Sequence, residues 1–158
     1  RLRNRTITPS KGRGPGYEAP GWVGGSASNR AALARVPAPR ANRPRVEFRS
    51  PDPPCNPYLA FAAMLTAGMD GVRNKIEPPN GVDKNIYQMT PAERGHAGID
   101  TLPCDLYEAH RALLADNLIC EALGPHVLEA LTSVTNAEWD AYRTAVHPWE
   151  LDRYLATY

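Results

Sequence analysis

The distribution of proline divides this chain before any other feature does. Ten of its 16 prolines fall within residues 1–57, and six of its 12 glycines precede residue 26. Proline removes a backbone donor and fixes φ, and glycine widens the accessible backbone, so this part is restricted to loops and short strands. After residue 57 proline is sparse enough to leave room for helices. At 158 residues, with 42% hydrophobic and 22% charged content, the chain suits one globular domain. Its longest apolar run, residues 59–65, is far short of the roughly 18 residues a membrane span needs. No basic-then-apolar N-terminal pattern reads as a signal peptide. The expectation is a cytoplasmic protein with no membrane partner. Cys55, Cys104 and Cys120 are an odd number at wide spacing, with no zinc-ligand pattern, which points to reduced thiols and no structural zinc.

The formal net charge of +1 conceals an asymmetry. Residues 1–50 sum to +9 and the remainder to −8. A basic first third suits a polyanion, either nucleic acid or the phosphates of a nucleotide. Two strands are predicted there. Residues 31–36 form a short apolar stretch ended by Pro37, and residues 45–49 alternate strictly. With period two, Val46 and Phe48 face one way and Arg45, Glu47 and Arg49 the other.

From residue 56 the pattern becomes helical. Asn56-Pro57 is an N-cap with proline at the first helical position. The helix it opens, to about residue 74, carries Leu59, Phe61, Met64, Leu65 and Met69 with alanines between, and apolar residues on nearly every side predict burial. Thr90 and Glu93 have capping-box spacing. Asp105 and Glu108 repeat it and predict a helix to Leu123, with Gly124 at the stop position and Pro125 opening a short helix. Thr135 and Glu138 predict a further helix start, ending near His147-Pro148, and residues 149–158 close the chain as an amphipathic segment.

Chemistry concentrates on the Arg45/Glu47/Arg49 face. Two guanidiniums and a carboxylate cannot enter a core unpaired. The pattern leaves open a solvated face with cross-strand ion pairs, or an anion site in which arginine forks meet phosphate and the carboxylate holds Mg²⁺. Arg30 and Arg35 add two cations upstream, but their parity differs, so both reach one site only through an irregular start or a bulge. Glu18 lies in a turn bounded by Pro15 and Pro20, either an exposed loop glutamate or part of a loop that closes over a site. His96, His110, His126 and His147 show no ligand spacing, and Met64 and Met69 read as core.

Together these segments resemble the glutamine synthetase family, type I. Residues 15–20 read PGYEAP. Asn29-Arg30 with Arg35-Val36-Pro37 is similar to the family's NRxxxxR(I/V)P. Residues 45–61 match RxExRxPDPxxNPYLAF. Residues 74–76 and 83–87 resemble its NKI…DKNLY stretch, and residues 147–150 its closing HPxE. The resemblance implies an α+β fold, with short antiparallel strands followed by a helical C-terminal lobe. Residues 1–50 would hold the flap loop and active-site strands, residues 51–158 the helical lobe. The family's small N-terminal β-domain is not in this sequence.

The same resemblance implies an ATP-dependent ligase making glutamine from glutamate and ammonia through a γ-glutamyl phosphate. Glu18 would be the flap glutamate that closes the site, contacts glutamate and helps deprotonate ammonium. Arg30 would touch the transferred phosphoryl group, Arg35 and Arg45 the nucleotide phosphates, and Arg49 the glutamate or acyl phosphate. Glu47 would ligate Mg²⁺ or Mn²⁺. Tyr87 would match a tyrosine that some bacterial members adenylylate, although Gln88-Met89 follows where an acidic residue and leucine are usual. The assembly implied is a homo-oligomer, a dodecamer of two stacked rings. Residues 8–14 depart from the family's pattern, and Gly12 falls where an arginine holds glutamate. A related ligase that joins glutamate to another amine, or a truncated interaction protein, therefore stays open. Nucleic acid is disfavoured because its backbone repels Glu47.

Overall fold

A computed structural model describes residues 21–27, 29, 32–37, 45–51 and 55–157. The strands are minimal. β1 (Trp22–Val23) pairs antiparallel with β5 (Asp100–Thr101), and β2 (Gly25–Ser26), β3 (Ala34–Arg35) and β4 (Glu47–Phe48) form a second sheet in that order. β3–β4 is antiparallel and β2–β3 parallel, a direction that residue alternation does not report. The described residues of the proline- and glycine-rich third thus hold only two-residue strands, and the helices follow them.

Helix α1 (Pro57–Arg73) begins as its sequence dictates: Asn56 Oδ1 accepts from the N–H groups of Tyr58 and Leu59 at 3.0 and 3.3 Å. It ends in a Schellman turn. Ile76 N–H donates to Gly71 O at 2.9 Å and Lys75 N–H to Val72 O at 3.4 Å, with Lys75 at φ 50°, where glycine is the usual occupant. The expected burial of this helix on every side is not what forms. No α1 residue is fully buried; Phe61 is 65% exposed, and Tyr58, Leu65, Met69 and Val72 are exposed with it. Leu59 and Ala63 alone pack onto the Leu113/Ile119/Leu123 cluster. A 3.6-residue period offers one stripe to one neighbour, and among the described residues nothing covers the others.

Helix α2 (Pro91–His96) carries the expected box: Glu93 N–H donates to Thr90 Oγ1 at 3.2 Å and Thr90 N–H to Glu93 Oε2 at 2.7 Å. The helix expected from residue 105 to 123 is instead two. α3 (Leu106–Leu114) is capped by Asp105, and Asp116 Oδ1 recaps the chain by accepting from Ile119 N–H at 3.2 Å to open α4 (Asn117–Thr144). The second box at Asp105/Glu108 is displaced, since Glu108 Oε2 takes the N–H of Cys104, not of Asp105. Gly124 (φ 71°, ψ 164°) kinks α4 and Pro125 restarts it. Thr135 starts no helix. It is buried inside α4, on the side that faces the packing rather than at an end. α5 (Pro148–Tyr154) follows His147.

α4 packs against both α1 and α3, and His110 is buried at that seam with Nε2 3.3 Å from Thr132 Oγ1. A second apolar cluster, Ile86 and Ile99 with Trp22, Val82, Tyr87 and Met89, sits beside the β1–β5 ladder. All three cysteines are free. Among the described residues, no helix is long and apolar enough to cross a membrane.

Candidate active site

The β3–β4 register sets Arg35 directly opposite Glu47. Arg45 stands two residues before Glu47, just ahead of β4, and its guanidinium turns back onto the same carboxylate. The three side chains meet. Arg35 reaches Glu47 Oε2 through Nε at 2.9 Å and Nη2 at 2.7 Å. Arg45 reaches Oε1 through Nε at 3.2 Å and Nη2 at 3.1 Å. Their side chains are 25%, 33% and 40% exposed for Arg35, Glu47 and Arg45, open enough for a ligand to compete. Two guanidiniums around one carboxylate leave a net positive charge, which suits an anion with several oxygens. Arg45 above all holds the Glu47 carboxyl below the usual carboxylate range; desolvation opposes it, and Arg35 adds to the lowering.

A carboxylate offers about four lone-pair sites, and each Glu47 oxygen already faces two guanidinium nitrogens. Glu47 therefore fits a divalent cation as one carboxylate ligand once one guanidinium moves. The Arg45 pair, longer and more exposed than the Arg35 pair, is the one placed to open. Among the described residues no group of three or more His, Cys, Asp or Glu side chains gathers as a complete metal cage.

The other expected site residues divide. Arg49 extends the ladder, its N–H donating to Leu33 O at 2.9 Å, and its side chain is half-buried. Tyr87 lies on a 3₁₀ turn (Ile86–Gln88), half-buried with its ring edge-on to Trp22 at 4.8 Å. Arg94 covers the other ring of that pair, 5.1 Å from the Trp22 centroid. Glu18 and Arg30 lie outside the described residues.

Sequence reasoning passed over Ser26 and gave no role to Asn29 and Asp83, although both lie in the quoted motifs; the three bind the β2 segment to the loop preceding Tyr87. The available signal was weak: an asparagine and an aspartate in irregular segments, where such side chains bond to main chain.

Comparison with known proteins gives this geometry its setting. The glutamine synthetase catalytic domain matches residues 7–154. Glutamine synthetase of Thermus thermophilus is 52% identical over 157 residues, 99% of this chain and 35% of that protein. The Methanosarcina mazei enzyme is 47% identical over 155 residues, 98% of this chain and 35% of that protein. The chain thus spans about a third of the length of the curated relatives it matches. Among solved structures, apo GmaS without ligand superposes with a TM-score of 0.76 at 31% identity, over 96% of this chain and 33% of that one. A GmaS/ADP complex gives 0.69 at 33% identity, over 84% of this chain and 28% of that one. Matched from near its start to near its end, and carrying paired arginines around a strand carboxylate, the chain belongs to the glutamine synthetase catalytic-domain family.

Proposed function

We propose that this chain is part of an ATP-dependent ligase that makes glutamine from glutamate and ammonia. The γ-carboxylate oxygen of glutamate attacks the γ-phosphorus of ATP and ADP leaves. Ammonia then attacks the acyl carbon of the γ-glutamyl phosphate and phosphate leaves. The observation that carries this reading is the Arg35–Glu47–Arg45 array. Phosphoryl transfer asks for positioning and neutralisation of charge more than for covalent chemistry, and that array supplies both. That the similar protein GmaS was solved in complex with ADP supports a nucleotide as a ligand of this kind of protein.

Arg35 stays on Glu47 and points its remaining N–H groups at phosphate oxygens. Arg45 exchanges Glu47 for the nucleotide, which frees Oε1. Mg²⁺ or Mn²⁺ held there would neutralise charge on the nucleotide oxygens. Arg30 and Arg49 extend the cationic wall toward the transferred phosphoryl group and the glutamate. Glu18 closes the site and takes a proton from ammonium. Tyr87 is a candidate for modification, its ring packed edge-on against Trp22. The working enzyme is a cytoplasmic homo-oligomer, in which the rings of the dodecamer stack.

The test is steady-state kinetics of the full-length enzyme. Arg35→Ala and Glu47→Gln are each expected to lower kcat/KM for ATP by about 10²-fold or more, the scale of losing one transition-state donor. Two variants that both keep wild-type kcat/KM would overturn the assignment. A second reading, the same chemistry with another amine, draws on the departure at residues 8–14. It predicts a higher kcat/KM for a primary alkylamine than for ammonia.

A further inference from the structure

The segment that carries Arg35 is held from behind by polar contacts that the reaction does not use. Ser26 is buried at the end of β2. Its Oγ donates to Asp83 Oδ1 at 3.0 Å and accepts the Asn29 N–H at 3.0 Å. Asn29 Nδ2 donates to the carbonyl oxygens on either side of Asp83, Val82 O at 2.9 Å and Lys84 O at 2.7 Å. A side-chain amide has two protons, so both are committed to the main chain of one loop. Val82 N–H closes the set by donating to Gly25 O at 2.9 Å.

The other edge of β2 carries β3. Ala34 N–H donates to Gly24 O at 3.2 Å and Val36 N–H to Ser26 O at 3.1 Å, and Arg35 lies between these two amides. Ser26 is therefore shared. Its carbonyl fixes the register of Arg35, and its hydroxyl fastens the loop. A ladder of two-residue strands specifies register weakly, and a slip of one residue turns every side chain to the opposite face. For Arg35 that slip removes it from Glu47.

We propose that Asn29, Ser26 and Asp83 form a clasp that holds the register of Arg35, which makes Asn29 and Asp83 positioning residues for the phosphate-facing guanidinium. The clasp joins Asp83 to Ser26 across 57 positions of sequence, and through it the loop before Tyr87 bears on the arginine wall. The proposal rests on reading Arg35 as a nucleotide contact.

Two readouts on the full-length enzyme separate the clasp from that reading. Hydrogen exchange by mass spectrometry reports the protection of peptides covering residues 32–37 and 80–85. Steady-state kinetics reports KM for ATP against kcat. Asn29→Ala and Asp83→Ala are expected to quicken exchange in both peptides and raise KM for ATP about tenfold, equivalent to about 1.4 kcal/mol, with a smaller change in kcat. Asp83→Asn keeps an acceptor for the Ser26 hydroxyl and is expected to restore both values. Should Asn29→Ala fail to fold, the Asp83→Ala and Asp83→Asn pair, at an exposed residue, carries the test. Unchanged exchange in the alanine variants overturns the clasp. Quickened exchange with a wild-type KM for ATP, while Arg35→Ala raises that KM, overturns the positioning role. If Arg35→Ala itself leaves KM for ATP unchanged, the nucleotide reading and the positioning role fall together, and exchange alone decides whether the clasp holds the ladder.

Discussion

Helix α1 presents Phe61 and its apolar neighbours to solvent in this 158-residue chain, and truncating Phe61 measures what that face contributes. Phe61 is 65% exposed, whereas Leu113, at the centre of the α1–α3–α4 packing, is 3% exposed. A phenylalanine buries roughly 150–250 Å² when fully covered. About a third of that, near 60 Å², at about 25 cal/mol/Å² gives at most ~1.5 kcal/mol. Alanine retains its Cβ, so the expected loss for Phe61→Ala is about 1 kcal/mol or less. Leu113→Ala empties a covered site and is expected to cost about 2–5 kcal/mol. That is a large share of the ~5–15 kcal/mol that holds a domain of ordinary stability together. Urea titration of the isolated chain, followed by far-ultraviolet circular dichroism, compares the two directly. A Phe61→Ala loss equal to that of Leu113→Ala would refute the reasoning, because it requires a cover over α1 that these contacts do not contain. In the full-length enzyme the order is expected to narrow, as further chain or a second subunit covers the stripe.

Three further outcomes are expected. Lys75→Gly should stabilise the chain by about 1 kcal/mol, the cost of holding an L-residue in the left-handed region, read as a raised urea midpoint; a lowered midpoint counts against the Schellman turn. The Glu47 carboxyl has its folded value depressed, chiefly by Arg45. The Glu47–arginine pairing should therefore stabilise fully above the ordinary carboxylate value, about 4.3, and fade as pH falls through the depressed one. Carboxyl-carbon NMR should show the Glu47 midpoint rising toward the ordinary value in Arg45→Ala, and an unmoved midpoint contradicts the pairing. Cys104 is exposed, yet its thiol donates to Glu108 Oε2 at 3.1 Å and that contact raises its ionisation above the usual range. Glu108→Ala should speed its reaction with an aromatic disulfide at pH 8, and an unchanged rate argues against the contact.

Local chemistry was the legible part of this sequence. The Asn56-Pro57 start of α1, the Thr90/Glu93 box and the Gly124-Pro125 interruption each depend on neighbours within four residues, and each forms. Two-residue alternation put Arg45 and Glu47 on one face, and the two side chains do meet, although β4 itself begins only at Glu47. What depended on distant partners was not legible. Apolar content on all sides of α1 reported the composition of a helix, not what covers it. Asp116 read as helix interior because the apolar period continues across it, although α3 ends before it and its carboxylate caps the next helix. Thr135 and Glu138 had box spacing, but α4 packs along α1 and α3, and helix geometry outweighed a cap that suited the sequence. The parallel β2–β3 ladder and the clasp through Asp83 join segments that local patterning treats separately.

The central claim is that these arginines serve a ligase in which phosphate leaves from the γ-carboxyl of glutamate. Glutamate labelled with ¹⁸O in that carboxylate tests it most directly, supplied with ATP, Mg²⁺ and ammonia to the full-length enzyme. Mass spectrometry of the phosphate released should show one labelled oxygen per turnover, because the oxygen that attacks the γ-phosphorus departs with it. Glutamine formed alongside phosphate that carries no label would contradict the account.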